Sequence, residues 1–182
     1  MNADDLLPDL PRAPRPVHPA ALPDDELLKS CTLTRGRGSG PGGQHRNKVQ
    51  TLVELTHRPT AIAAHAGERR SPEVNRKVAL RRLRLALATE HREGVPEGEV
   101  RSELWRTRVR GGKIILNTGH ADYPAMLAEA MDVLAACSWD PKWAGKRLAC
   151  TPSQLIKLIA AHPPALLVLN ERRAERGDHP VK

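Results

Sequence analysis

The sequence predicts an α+β protein: a small mixed β-sheet with one packed helix and a protruding glycine-rich loop, followed by a helical C-terminal unit. Three observations carry that expectation. Short strand-like segments bracket a run of glycines over residues 36–43. A leucine stripe at helical spacing follows from Ser71. From Asp122 onward the chain shows only helix starts and helical spacings.

Residues 1–23 carry Pro8, Pro11, Pro14, Pro16, Pro19 and Pro23. Proline at that density removes backbone donors and fixes φ, so the stretch is expected to be a flexible or extended arm. A catalytic domain is expected over residues 24–120 and a helical extension over 121–182. Pro23-Asp24-Asp25-Glu26 reads as the start of a short helix. Cys31–Thr34 reads as a strand, and residues 36–43 (Gly-Arg-Gly-Ser-Gly-Pro-Gly-Gly) as a loop, because each glycine adds to the entropy lost in any regular structure. Val49–Leu55 is β-branched and alternating enough for a second strand, ended by Pro59, with Thr60–His65 as its return partner.

Ser71-Pro72-Glu73 combines a capping hydroxyl, proline at the first helical position and an acid in the first turn. The helix should run to about Arg92, with Leu80, Leu83 and Leu87 on the sheet and Lys77, Arg81 and Arg84 on another face. Residues 93–99 form a linker, and Trp105–Leu116 a hairpin around Gly111-Gly112. Helix starts follow at Asp122, at Asp140-Pro141, at Thr151-Pro152-Ser153-Gln154 with capping-box spacing, and at Pro163-Pro164. Trp139 and Trp143 are expected to anchor these helices, and Leu155, Ile156, Leu158 and Ile159 to belong to the core.

Charge is distributed unevenly. Residues 1–30 hold 3 basic and 6 acidic side chains, residues 31–120 hold 18 and 8, and residues 121–182 hold 8 and 7. The whole positive excess of the chain, net +8, therefore lies in the middle, as in a nucleic-acid binder. Aromatics are 2% of residues, too few for recognition by rows of stacked bases. No apolar run approaches the ~20 residues of a membrane span. Three widely spaced cysteines, Cys31, Cys137 and Cys150, suit neither a disulfide framework nor a zinc cluster, and fit a reducing cytoplasm. The eight histidines show no paired metal spacing, so no metal and no cofactor are expected.

Three chemistries compete for the glycine loop. Gly38-Ser39-Gly40-Pro41-Gly42-Gly43 satisfies the dinucleotide pattern, but the next residues, Gln44-His45-Arg46-Asn47-Lys48, lead into a strand instead of an apolar helix. The Gly-Lys-Ser/Thr end of a nucleotide-phosphate loop is absent, and a plain hairpin connection remains open. The third chemistry is a catalytic tip at Gly42-Gly43-Gln44. Paired glycines let the backbone approach a reacting centre unobstructed, and the Gln44 N–H can then meet a developing oxyanion. The Gln44 carboxamide is no base, so it can only position or exclude water, and the rest of the site must come from a partner. His45 lacks a carboxylate neighbour and makes a weaker general-base candidate; His57 reads as structural.

The run from Arg37 to Lys48 resembles the signature loop of bacterial class I peptide chain release factors and their short ribosome-rescue relatives. Leu55-Thr56-His57-Arg58-Pro59-Thr60 is similar to the strand and turn that follow it in that family, and Asn75, Lys77 and Ala79 fit its helix. The resemblance covers about residues 26–92. It implies a small mixed sheet with a packed helix, and a loop that enters the peptidyl-transferase centre of the large ribosomal subunit. There it promotes attack of water on the ester joining the nascent chain to P-site tRNA.

On that resemblance Gly42 and Gly43 set the backbone path, Gln44 carries the oxyanion contact, and Gln44 is a candidate for amide methylation by a dedicated glutamine methyltransferase. Arg35, Arg37, Arg46, Asn47 and Lys48 around the loop, and Lys77, Arg81 and Arg84 on the helix, are the expected rRNA contacts. A monomer without membrane partners is expected. The chain departs from the family in having Arg46 where a small apolar residue is usual and Pro72-Glu73-Val74 before Asn75. It also has neither codon-reading motif (Pro-x-Thr or Ser-Pro-Phe) nor a Lys/Arg-rich tail. Codon-independent release or rescue is therefore the expected function. The alternative is a non-catalytic ribosome- or rRNA-binding protein that keeps the loop.

Overall fold

The computed structural model describes residues 16–37 and 50–182. Proline and the acids of its first turn open helix α1 (Asp24–Lys29), which favours negative charge at its N-terminus. Strands β1 (Cys31–Gly36), β2 (Leu52–His57) and β3 (Ala63–Ala66) follow in the order β1-β2-β3. Both pairings are antiparallel, with Cys31 opposite His57, Gly36 opposite Leu52 and Val53 opposite Ala66. The mixed sheet implied by the family resemblance is thus refined to an antiparallel one. Arg58 locks the entry to the sheet. Its two terminal nitrogens donate to the carbonyls of Cys31 (3.0 Å) and Lys29 (2.6 Å).

Helix α2 (Pro72–Glu90) starts as its sequence predicts: Ser71 Oγ accepts from the Val74 amide, with Pro72 at the first position. Leu80, Leu83 and Leu87 are buried, and α2 packs against β2 and β3. Its other side packs on helix α4 (Tyr123–Ala136). One continuous apolar core therefore runs from Ala20 through Val53, Leu83 and Met131 to Leu169. Pro16–Pro23, the described end of the proline-rich arm, lies along this core. A 3-10 turn at Pro19–Ala21 buries Ala20, and His18 is 5% exposed with Nδ1 accepting from the Ala20 amide.

The segment expected to be a hairpin from Trp105 to Leu116 is corrected in its first half. Ser102 caps helix α3 (Glu103–Arg108), and only β4 (Val109–Arg110) and β5 (Lys113–Ile114) form the hairpin. Gly111 and Gly112 at its turn have φ of 54° and 76°, a left-handed pair that favours glycine. Trp105 is fully buried in α3, and its Nε1 donates to the Leu148 carbonyl at 2.8 Å. Helices α5 (Pro141–Arg147), α6 (Pro152–Ala160) and α7 (Pro163–Ala174) complete the chain.

Two further expectations change in detail. The capping box at Thr151 is half made. Thr151 accepts from the Gln154 amide, but the Gln154 carboxamide oxygen accepts from the Ile114 amide and so ties α6 to the hairpin. Trp143, expected as an anchor, points outward at 59% exposure, while Trp139 packs against the core. Among the described residues no helix is long and apolar enough to cross a membrane.

Candidate functional site

The glycine loop is carried between two strand ends that face each other across the ladder. Gly36 closes β1, Leu52 opens β2, and the two are partners. Gly42, Gly43, Gln44, Arg46, Asn47 and Lys48 lie outside the described residues, and so does His45. What the structure shows is the frame that holds their two roots.

Leu52 is the apolar part of that frame. Its side chain sits between two glycines: a Cβ at Gly36 would come within 3.2 Å of Leu52 Cδ2, and one at Gly67 within 3.0 Å of Leu52 Cδ1. Both distances are tighter than ordinary contacts, so glycine at each place lets the sheet close over this side chain. The returning root is pinned by Asn75, wholly buried in the first turn of α2. Its Nδ2 donates to the carbonyls of Thr51 (2.6 Å) and Arg69 (2.8 Å), and its Oδ1 accepts from the Arg69 amide (2.9 Å). One carboxamide thus joins three segments: the loop's return, the turn after β3 and the helix. A carboxamide suits that place because it both donates and accepts without bringing a charge into the interior.

Arg35 and Arg37, on the outgoing limb, are exposed, as the sequence predicts for side chains that meet an external anion. Arg69 and Arg70, in the turn that Asn75 holds, are exposed as well. The pairwise reading of the sequence did not single these two out; the charged run Glu68-Arg69-Arg70 directly before the Ser71 cap is the signal that marks them. Asn75 was recognisable only as a family position, because nothing in the sequence says that it reaches back to Thr51.

Lys77, Arg81 and Arg84 do share a face, but that face borders a cleft between the 16–23 segment, α2 and the start of α4. Arg84 donates to the carbonyls of Ala20 (2.7 Å) and Leu22 (2.5 Å) and pairs with Asp24 at 2.7 Å. Arg81 donates to the carbonyls of Thr118 (2.5 Å) and His120 (3.3 Å). These two guanidiniums hold chain segments together, while Lys77 is exposed. His57 is buried, with Nδ1 at 2.8 Å from Thr60 Oγ1, and burial lowers its pKa. Among the described residues no group of His, Cys, Asp or Glu could hold a metal ion.

Comparison with known proteins adds a family to this frame. Residues 26–113 match the model of the RF-1 domain. A chloroplastic peptide chain release factor of Arabidopsis thaliana, PrfB1, is 33% identical over 107 residues, which is 56% of this chain and 23% of that protein. An uncharacterised mitochondrial release factor-like protein of Saccharomyces cerevisiae is 44% identical over 71 residues, 39% of this chain and 44% of its own length. A peptide chain release factor 2 of Variovorax paradoxus is 51% identical over 51 residues, 28% of this chain and 14% of the relative. The match therefore spans less than half of each of these proteins.

Proposed function

Because residues 26–113 match the RF-1 domain and the chain is similar to peptide chain release factors, we propose that it hydrolyses the peptidyl-tRNA ester on the ribosome without reading a stop codon. One observation carries the reading. The Gly42-Gly43-Gln44 loop is suspended from two ladder-paired strand ends, and its returning limb is fastened by the buried Asn75. That frame gives a catalytic tip a fixed base from which to be presented.

The chemistry asked of the tip is small. Gly42 and Gly43 clear the way for the main chain, and the Gln44 amide donates to the oxyanion that forms as water attacks the ester carbonyl. The Gln44 side chain orients or admits that water, and rRNA of the peptidyl-transferase centre completes the site. One such donor is worth about 10²–10³ in rate. Arg35, Arg37, Arg46, Asn47 and Lys48, joined by Arg69 and Arg70, meet rRNA phosphates around the loop, and Lys77 extends that surface. Arg81 and Arg84 contribute to it only so far as their internal carbonyl contacts leave them free to. Gln44 is also the proposed site of amide methylation.

The C-terminal helices are the proposed element that selects the target ribosome. Three free cysteines, two of them buried, favour a reducing compartment such as the cytoplasm.

The test is peptide release from stalled ribosomal complexes by the full chain and by Gly43→Ala and Gln44→Ala. Release by the unaltered chain is expected, falling about 10²–10³-fold in Gly43→Ala, whose Cβ disturbs the main-chain path that places the Gln44 N–H, and less in Gln44→Ala, which keeps that N–H and loses only the water-orienting carboxamide. Equal release by all three, or none by any, overturns the enzymatic reading. Co-sedimentation with ribosomes in the latter case would leave a non-catalytic rRNA-binding protein.

A further inference from the structure

The C-terminal half carries an exposed indole that its own packing does not use. Helix α5 buries Pro141, Ala144 and Gly145 and turns Lys142, Trp143 and Lys146 outward. Of the three tryptophans, Trp105 is wholly buried and Trp139 is packed on the core, while Trp143 is 59% exposed. A large apolar ring left in water forgoes the burial that its surface would gain elsewhere. Lys146 Nζ lies over the Trp143 ring, 4.3 Å from its centroid, and most of the indole's remaining surface is exposed.

The surroundings of this ring are cationic. No acid occurs between Glu103 and Asp122, nor between Asp140 and Glu171, and these two stretches meet in space. The Thr151 amide donates to the Gly112 carbonyl at 3.0 Å, and the Ile114 amide to Gln154. Between them runs a shallow groove lined by Gly112, Lys142 and Lys146 together with the apolar Ala149, Cys150 and Pro152. A Cβ at Gly145 would come within 2.8 Å of the Cys150 carbonyl oxygen, so the groove floor is main chain packed on main chain. In the hairpin whose turn holds Gly112, Arg110 and Lys113 stand directly opposite each other in the β4–β5 register. Like charges in that position weaken strand pairing. Arg110, Lys113, Lys142 and Lys146 make no ion pair among the described residues.

We propose that this face of α5, with the adjoining hairpin turn, is a second RNA-binding site that takes unpaired RNA. One base stacks on the exposed indole of Trp143, and the flanking phosphates lie against Lys142, Lys146, Arg110 and Lys113. A duplex offers no free base face to the indole, so the ligand is single-stranded or a loop. The site is separate from the glycine loop, and its failure leaves the proposed release activity standing.

The experiment uses the full chain and a short fluorescein-labelled single-stranded RNA, with the same sequence as a duplex for comparison. The single strand should bind and quench tryptophan emission. Its affinity should fall roughly 5- to 150-fold in Trp143→Ala and recover in part in Trp143→Tyr, which keeps a stacking ring. Four phosphate contacts predict a slope of log affinity against log salt near about −3, reduced in Arg110→Glu/Lys113→Glu. These side chains are exposed, so thermal stability should not change. Gly43→Ala should bind this RNA normally while failing in release, which keeps the two readings apart. Equal affinity for duplex, unchanged binding by Trp143→Ala, or equal binding of a polyglutamate peptide with the same Trp143 dependence overturns the proposal.

Discussion

Strand β1 and helix α4 stand at opposite extremes of the molecule. Of the six residues of β1 only Cys31 is buried, and even Leu33 is exposed. Of the fourteen residues of α4 eleven are buried, Glu129 and Asp132 among them. Burying those two carboxylates requires partners: Glu129 accepts from the Ser102 amide and hydroxyl, and Asp132 from the Glu93 amide, with Arg92 at 3.5 Å. The helical end is therefore held by apolar area and completed polar contacts. The loop-bearing end is held by the two ladders of a small sheet, by Val53 and Leu55 of β2 in the core, and by polar pins such as Arg58 and Asn75. Stability is concentrated away from the candidate site, where a loop that must reach another macromolecule can do with less of it.

The largest effect should come from emptying the helical end. Leu127→Ala removes a wholly buried side chain from α4 and should cost about 2–5 kcal/mol in denaturant unfolding. A loss below that of a surface substitution would break the contrast.

Acid should act next, through His18. Burial pulls its pKa from 6.5 to about 4. The unfolded chain takes up this proton near pH 6.5, and the folded chain does so only near pH 4. As pH falls between those values the unfolded state binds more protons, so stability falls, by about 3 kcal/mol for this group. Burial lowers the pKa of His57 and His162 too, adding losses of the same sign. Melts from pH 7.5 to 4 should show the decline, and His18→Gln should flatten it.

Asn75→Ala sharpens the comparison at the other end. It leaves the Thr51 carbonyl and the Arg69 main chain without their partner, at a cost of about 1–3 kcal/mol. If the pin serves the loop, peptide release should fall at temperatures where the chain is still folded. Release that tracks the folded fraction alone would make Asn75 purely structural. The smallest effect belongs to Thr34→Ala on exposed β1, within about 0.5 kcal/mol.

Much of the fold was legible residue by residue. Ser71-Pro72 announces α2 because capping chemistry is local, and Leu80, Leu83 and Leu87 announce its buried face because periodicity is local. The glycine run marks the loop for the same reason. Helix α3 was not legible: six residues are too few to show a period, and the Gly111-Gly112 turn signals a hairpin without saying how far its strands extend. The partners of Arg81 and Arg84 were not legible either, since a basic helix face looks alike whether it meets water, RNA or the carbonyls of a distant turn. Nor was Trp143: its spacing from Trp139 suggests a shared anchor, but Ser138 and Trp139 adopt left-handed backbone, φ 54° and 60°, and the chain turns before α5 begins. Of the candidate site, the tip was read from its motif and the Asn75 pin needed three dimensions.

Helix α2 touches the sheet on one side and α4 on the other, and it does so without a break over 19 residues. At about 1.5 Å per residue it is a strut of roughly 28 Å. Asn75 at one tip grips the limb that returns from the glycine run, while Arg92, just past the other tip, leans on Asp132. The separation between the reaching end and the helical end is thus set like the span of a caliper. Whatever surface accepts one jaw has already dictated where the other must land.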